Sequence, residues 1–277
     1  MAGSEARDRA ASGGGRARRS EADARFGVAR RVRAMLSHGG VVGMLALFAA
    51  GTVAVALNTS ATILLAIPLG ILAQMLNEYA IHRFVFHRPA PRSQFWFDVM
   101  YRLHYGHHDF PSAEKLLFVP TWFALPMAVV NFALFWMGAA TLGVPDPLLH
   151  AVAIVLVGGA GTFLAYEWFH MTAHLPVRRT AIERSAASSH ARHHFRDFQA
   201  NYHVTPGGEI VDRLFGTELG AEELTRRSRD EFMTTLGLRP DDPRLVSARR
   251  RIARGMGVTP VEMERQGRAR GTARVTA

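Results

Sequence analysis

Apolar and polar positions are sharply segregated along this chain. Four long apolar runs occupy its middle: Val41–Leu57, Ala61–Ala80, Leu116–Met137 and Leu148–Trp168. The first carries no charge and is close to the minimum of roughly 17 residues for crossing a bilayer. The second holds Gln74, Asn77 and Glu78 only near its end. The third is interrupted by Pro120 and Pro126, and the fourth contains Gly158, Gly159 and Gly161. Small residues inside an apolar run let helices approach closely, a use that suits these glycines better than phosphate binding. The runs are joined in pairs by Asn58-Thr59-Ser60 and by Gly138–Pro147. The pattern predicts an all-α integral membrane fold: four transmembrane helices in two hairpins, with a cytoplasmic helical cap.

Charge separates this fold from a soluble bundle of buried helices. Neither joining segment contains Lys or Arg, so all 33 basic residues fall on one side of the four spans. Nine arginines precede the first span and 19 follow Leu175. A soluble protein has no reason to sort charge in this way, and the positive-inside rule places both termini and the Phe84–Lys115 segment in the cytoplasm. A multi-pass protein of the cell membrane is expected, and the excess of Arg over Lys fits the coding bias of a GC-rich bacterium.

The flanks are polar. Residues 1–40 read as a disordered basic lead, Met1–Arg25, followed by an amphipathic interfacial helix, Phe26–Leu36. Residues 41–218 form the membrane-embedded domain. Residues 219–277 read as polar, Arg-rich helices, Glu222–Leu236 and Asp242–Arg254, with a mobile tail from about Thr259. The formal net charge is +10. The basic ends lack the interleaved aromatics or reading motif of a nucleic-acid binder, so anionic lipid, not nucleic acid, is the expected partner. The chain has no cysteine, which excludes disulfides, thiolate metal sites, Cys-bound iron–sulfur clusters and a Cys nucleophile.

Histidine changes the picture. Of 13 histidines, ten lie in four motifs. HRFVFH supplies His82 and His87, HYGHH supplies His104, His107 and His108, HMTAH supplies His170 and His174, and HARHH supplies His190, His193 and His194. Two up-and-down hairpins put all four motifs on the cytoplasmic side. Residues at i, i+3 and i+4 share a helix face, so each HxxHH is expected to aim three imidazoles at one point. His82 and His87 are five apart, about 140° on a regular helix, so one of them lies past the helix end or at a π-bulge. Ten neutral imidazoles fit two first-row transition metals, and the lack of thiolates disfavours a structural zinc site. Glu78, Glu167, Asp109 and Asp197 are the nearest carboxylates and the candidates to orient the rings. His38, His150 and His203 lie outside the motifs.

The series HxxxxH, HxxHH, HxxxH, HxxHH between pairs of membrane helices resembles the fatty acid hydroxylase / sterol desaturase superfamily. EYAIHRFVFH, YRLHYGHHDFP and HHFRDFQANYHVTPGGEIVDRLFGT are most similar to its fatty acid 2-hydroxylase branch, over roughly Gln74 to Thr217. The resemblance implies a di-iron centre, O2 as co-substrate and hydroxylation of an unactivated C–H bond of a lipid acyl chain. It makes the ten motif histidines the metal ligands and implies no catalytic residue beyond them. Zinc is expected in place of iron in some purified samples, since imidazole suits both. The N-terminal lead is too short for a cytochrome b5-like segment, so a separate electron-donor protein of ferredoxin or cytochrome type is expected. The chain departs from the branch at Ala113, Leu116, Thr121 and Val211, which replace an acidic residue, an arginine, a proline and a tryptophan. His203 replaces a glycine, making Asn201, Tyr202 and His203 candidates for the substrate entrance. The acyl chain is expected to enter laterally between the second, third and fourth spans. Two alternatives stand beside this reading. One is a sterol or carotenoid hydroxylase, or a desaturase, of the same superfamily. The other is a non-redox, histidine-rich metal transporter, which needs ionisable ligands at mid-membrane depth, where only His150 and Asn131 stand isolated.

Overall fold

The computed structural model describes residues 27–219 and 227–271, and these are helical or irregular, with no strand among them. Helix α1 (Val28–Leu36) leads into α2 (Gly39–Leu57) and α3 (Ala61–Phe86), an antiparallel hairpin closed by the Asn58–Ser60 turn. Ser60 caps α3, its hydroxyl accepting from the amide of Ile63, which satisfies one of the donors left over at a helix start. A cap helix α4 (94–109) follows, then the second hairpin, α5 (Thr121–Thr141) and α6 (Pro147–His174). The remaining cap consists of α7 (Ala181–Phe195), α8 (Glu209–Leu214), α9 (Arg229–Thr235), α10 (Pro243–Gly255) and α11 (Pro260–Gly271).

Four of these helices, α2, α3, α5 with its leading turn, and α6, are long and apolar enough to cross a membrane among the described residues. Their outer faces carry exposed Val42, Leu45, Val53, Leu64, Leu65, Leu69, Leu72, Val129 and Leu134. In water such a surface carries a large hydrophobic cost, and in hydrocarbon it carries none. The protein is therefore membrane-embedded and multi-pass, with the cap built on one side by residues 87–113, 175–219 and 227–271.

The helices run past the ends of the apolar runs. α3 continues through HRFVF as a π-turn, His82–Phe86, with the His87 amide donating to the His82 carbonyl at 3.2 Å. α6 likewise extends to His174. Hydropathy marks the lipid-facing length, whereas the backbone ladder stops only when its hydrogen bonds do.

α3 and α6 touch backbone to backbone. A Cβ placed on Gly158 would lie 2.3 Å from the carbonyl oxygen of Ile67, and one on Gly70 would lie 1.9 Å from that of Ile154. This is the close approach that small residues permit between membrane helices.

The flanking segments depart from expectation. Arg31, on what reads as the charged face of α1, is buried against Glu183 at 3.2 Å and sits over the Trp168 ring, whereas Val28, Val32 and Leu36 are exposed. Residues 1–26, including the disordered lead and the first residue of the predicted amphipathic helix, lie outside the described residues, as do 220–226, which include 222–226 of the predicted helix at 222–236. The segment expected to be a mobile tail is helical from Pro260 to Gly271. Thr259 and Glu262 exchange hydrogen bonds at its start, and Met263 packs beside Phe110, Leu116 and Ala253. That capping pair, Thr-x-x-Glu, is legible in the sequence.

The α3–α6 contact gives a direct test. Gly158→Val should force the two helices apart and cost at least about 1–3 kcal/mol, read as a lowered unfolding midpoint in detergent. Gly138→Val, which meets no atom within 4 Å, should leave the midpoint unchanged. Equal midpoints for both variants would contradict the contact.

Candidate metal centre

The ten motif histidines converge where the spans meet the cap. They form two groups of five, His82, His87, His104, His108 and His193 in one, and His107, His170, His174, His190 and His194 in the other. Within each group the candidate ligand nitrogens all lie within 4.8 Å of one another. The two groups abut: the rings of His108 and His194, one from each, stack at 4.0 Å.

The partition differs from the expectation that each HxxHH points at one spot. On α4, His104 and His108 join the first group and His107 the second. On α7, His190 and His194 join the second group and His193 the first. Members at i and i+4 are about 40° apart on a helix, whereas the i+3 member sits on the opposite flank of that pair. With a group on each flank, both helices feed both groups.

The nitrogen chemistry suits metal ions. Nδ1–H of His82 donates to the Tyr202 carbonyl, that of His170 to Leu117 at 2.9 Å, and that of His193 to Ala200 at 2.7 Å. A carbonyl only accepts, so these bonds fix the tautomer and leave Nε2 with a free lone pair. Those lone pairs face other imidazole nitrogens: His82 Nε2 to His104 Nε2 is 3.2 Å, His170 to His107 2.9 Å, and His193 to His108 3.2 Å. Metal–imidazole bonds of about 2.1 Å at right angles put neighbouring nitrogens about 3.0 Å apart. The donor set therefore fits an ion in each group.

Burial supports the same chemistry. It pushes the imidazoles of His87, His104, His107, His108, His190 and His194 well below the ordinary histidine range, and neighbouring rings push them further. His193 is lowered by burial to about 4. The rings are neutral at physiological pH, the state in which imidazole ligates.

The carboxylates do other work. None of the four candidates bonds a motif imidazole among the described residues. Glu78 accepts from the amides of Val204 (2.6 Å) and Thr205 (3.1 Å) and from the Thr205 hydroxyl (2.5 Å). Glu167 accepts from the Val119 amide at 2.9 Å. Asp197 accepts from the Gln199 amide, on the cap surface. Asp109, fully buried, receives the Tyr101 hydroxyl at 2.6 Å and the Arg249 guanidinium at 2.7 and 2.8 Å, with Arg229 at 3.3 Å. Rings are instead oriented by backbone carbonyls, and the carboxylates hold the backbone that presents them. Asp212, not among the candidates, belongs to this set: it accepts from the amides of Tyr202 (2.9 Å) and His203 (3.1 Å). Glu78 and Asp212 thus brace the segment whose Ala200 and Tyr202 carbonyls meet His193 and His82.

Asn201, Tyr202 and His203 are buried in this brace and are not among the residues lining the cavity between α3, α5 and α6. Asn201 has φ +50° and bonds Ser189 and the Leu219 amide. Tyr202 packs edge-on against His82 and His87. His203 belongs to neither group. Its Nε2 donates to the Met75 carbonyl at 2.8 Å, and its Nδ1 lies 3.4 Å from Asp212. Burial disfavours its charged form, but the Asp212 carboxylate prevails and holds its pKa above the ordinary value. His38 stacks on Phe118, and His150 lies beside the Asp146 carbonyl at the far end of α6.

An apolar cavity opens from the first histidine group into the membrane region. His82 and Phe86 form its cap end, and Ala73, Ile81, Phe123, Met127, Phe135, Ile154 and Phe163 line it between α3, α5 and α6. Tyr166, unforeseen from sequence, lines it too and stacks on His170 at 5.4 Å. On the cap side, Phe232 of α9 stacks on His108 at 3.9 Å. No motif announces either aromatic.

Residues 67–217 match the fatty acid hydroxylase family. The chain is 27% identical over 155 residues to the ceramide very long chain fatty acid hydroxylase scs7 of Schizosaccharomyces pombe, covering 54% of this chain and 41% of that protein. It is 30% identical over 159 residues to the Saccharomyces cerevisiae ceramide very long chain fatty acid hydroxylase SCS7, covering 55% and 38%. It is 28% identical over 167 residues to the dihydroceramide fatty acyl 2-hydroxylase FAH2 of Arabidopsis thaliana, covering 59% and 65%. The match thus spans about two fifths of each yeast relative. The solved structure of full-length scs7p, with only its hydroxylase domain visible, shares the fold with a TM-score of 0.57 at 24% identity, over 67% of each chain.

Two measurements test the centre. Purified protein should carry two metal ions per chain. His108→Ala and His107→Ala, one from each group, should each reduce that content, whereas His203→Gly should leave it intact. Full occupancy in either alanine variant would sink the grouping as a ligand set. In the metal-free chain the rings are neutral when folded but protonate when unfolded below about pH 6.5. The unfolded state then binds more protons, so stability should fall as pH drops from about 6.5 toward about 4. A flat unfolding midpoint across that window would contradict the burial.

Proposed function

The chain belongs to the fatty acid hydroxylase family, and from that premise we propose that it is a membrane oxygenase that replaces one hydrogen of a lipid acyl chain by hydroxyl. The observation that carries the reading is that His82 is both a member of one five-imidazole group and a wall of the apolar cavity. Reacting carbon and metal-binding nitrogens thereby share one space.

Two iron ions, held by His82, His87, His104, His108 and His193 and by His107, His170, His174, His190 and His194, supply O2 activation when bound. The overall reaction consumes a C–H bond, O2, two electrons and two protons, and yields an alcohol and water. The chain's own residues do the rest. The Tyr202, Leu117 and Ala200 carbonyls keep three rings in the ligating tautomer. Burial keeps the imidazoles neutral, so protons do not compete for the ligand positions. Phe86, Phe123 and Phe163 line the cavity with rings that exclude water and offer an acyl chain only dispersion contacts. The chain lies between α3, α5 and α6, with its polar end at the cap. The cap faces the cytoplasm of a bacterial cell membrane, where a ferredoxin- or cytochrome-type protein delivers the electrons. Sorting of basic residues to the cap side supports that orientation.

Lipid mass spectrometry of cells with and without the iron-loaded protein should show acyl lipids heavier by one oxygen, and His108→Ala should abolish them. No oxygenated lipid in either sample would overturn the reading. A reporter fused after Ser60 should be external and one after Ala277 cytoplasmic, and the reverse result would place the cap on the wrong face.

A further inference from the structure

The cavity is not uniformly apolar. Gln74 and Asn77 of α3 and Asn131 of α5 line it among the aliphatic and aromatic side chains. Asn77 Nδ2 donates to Asn131 Oδ1 at 3.1 Å, and Asn131 Nδ2 donates to the Met127 carbonyl at 2.9 Å. That leaves Asn77 Oδ1 and the whole Gln74 amide without a hydrogen-bond partner among the described residues. Residues 74 and 77 are three apart on α3 and so share its cavity face. Glu78, which also reaches the wall, is already committed to Val204 and Thr205.

An unpaired amide at membrane depth is costly, because no water replaces its lost hydrogen bonds. Polar residues there are by default part of a site. Helix packing does not explain these two groups, since Gln74 bonds nothing and Asn77 still offers an acceptor beyond its bond to Asn131. Their place along the cavity is set by the helix: Asn77 is five residues before His82 and Gln74 eight, about 7–8 Å and 12 Å along the axis. A substrate whose reacting carbon lies at the His82 end presents a part of its chain several methylenes away to these amides.

We propose that Gln74, Asn77 and Asn131 recognise a hydroxyl or carbonyl borne on the acyl chain itself. The preferred substrate is then a lipid whose chain is already oxygenated at a position remote from the carbon attacked. A class of reaction that installs oxygen on the chain, hydration or an earlier hydroxylation, must supply it. The inference rests on the acyl-hydroxylase reading above and deepens it. An amide donates and accepts, so it pairs with either group, whereas a plain methylene leaves both amides unpaired. Sites that line a cavity with such unpaired polar groups discriminate against ligands that lack the matching group.

The test is equilibrium binding, without electron donor, to the full-length metal-loaded protein in lipid nanodiscs. The probes are stearic acid and monohydroxystearic acids with the hydroxyl moved stepwise along the chain, each displacing a fluorescent fatty acid. One hydroxyl position should bind about tenfold more tightly than stearic acid. Asn77→Leu should abolish that advantage, bringing the affinities for hydroxystearic and stearic acid together. Gln74→Met removes an amide that bonds nothing in the protein, and should reduce the same advantage even where Asn77→Leu disturbs assembly. Equal affinity at every hydroxyl position would overturn the proposal, with the cavity amides then serving only to hold solvent. Loss of stearic acid binding itself in Gln74→Met would overturn it too, because the amides would then hold the carboxyl head. Failure of every fatty acid to bind the unaltered protein would instead strike the acyl-hydroxylase reading.

Discussion

Everything in this structure answers to one electrostatic problem: ten neutral imidazoles must hold their lone pairs toward one another in a volume where eight of them are buried and His87 and His174 half-buried. Nitrogens 2.8–3.2 Å apart repel unless a cation or a shared proton lies between them, and burial has made protonation costly. The chain meets the problem by spreading it over four segments, each anchored independently. α3 and α6 bring His82, His170 and His174 up from the membrane on helices locked together at Gly70 and Gly158. His87 follows directly on the π-turn of α3, and α4 and α7 bring the other six across the cap. The 200–205 segment, tied to Glu78 and Asp212, delivers the carbonyls that set the tautomers of His82 and His193.

The C-terminal helices take part in this arrangement although the family match ends before them. Asp109 directly follows His108, and its carboxylate is gripped by Arg249 of α10 and Arg229 of α9. Phe232 covers the face of the His108 ring. The inner faces of α9 and α10, with Phe232, Met233, Leu245 and Ala248, bury themselves against Phe97 and Tyr101 of α4. An Arg-rich stretch that reads as polar helices drawn to anionic lipid therefore has a second, apolar face, and that face holds α4 in place.

How much of this was legible in the sequence follows from what each signal encodes. The four spans were, because lipid demands long apolar runs. So were the ten histidines and the need for irregular backbone between His82 and His87, because helical geometry alone forbids that spacing. The division of each HxxHH between two groups was not: periodicity says which residues share a helix face, not how many partners meet it. The role of the carboxylates was also hidden. Backbone carbonyls orient the rings, and a carbonyl has no side-chain signature, so Glu78 and Glu167 looked like ring partners when they grip amides instead. Asn77 and Gln74 were visible only as polar residues near the end of a span, until α5 and α6 enclosed them.

The split of neighbouring residues across the two groups has a consequence for how this chain can change over generations. His107 and His108, like His193 and His194, are adjacent in sequence yet serve opposite groups. Each added or deleted residue turns the rest of a helix by about 100°. A single insertion inside α4 or α7 would therefore disrupt both groups at once. The loops at 110–113 and 175–180 carry no such restriction, since their lengths do not set any ring's direction. Variation in length among descendants of this chain is thereby excluded from α4 and α7, which keep a fixed count of residues, and passes to such joints.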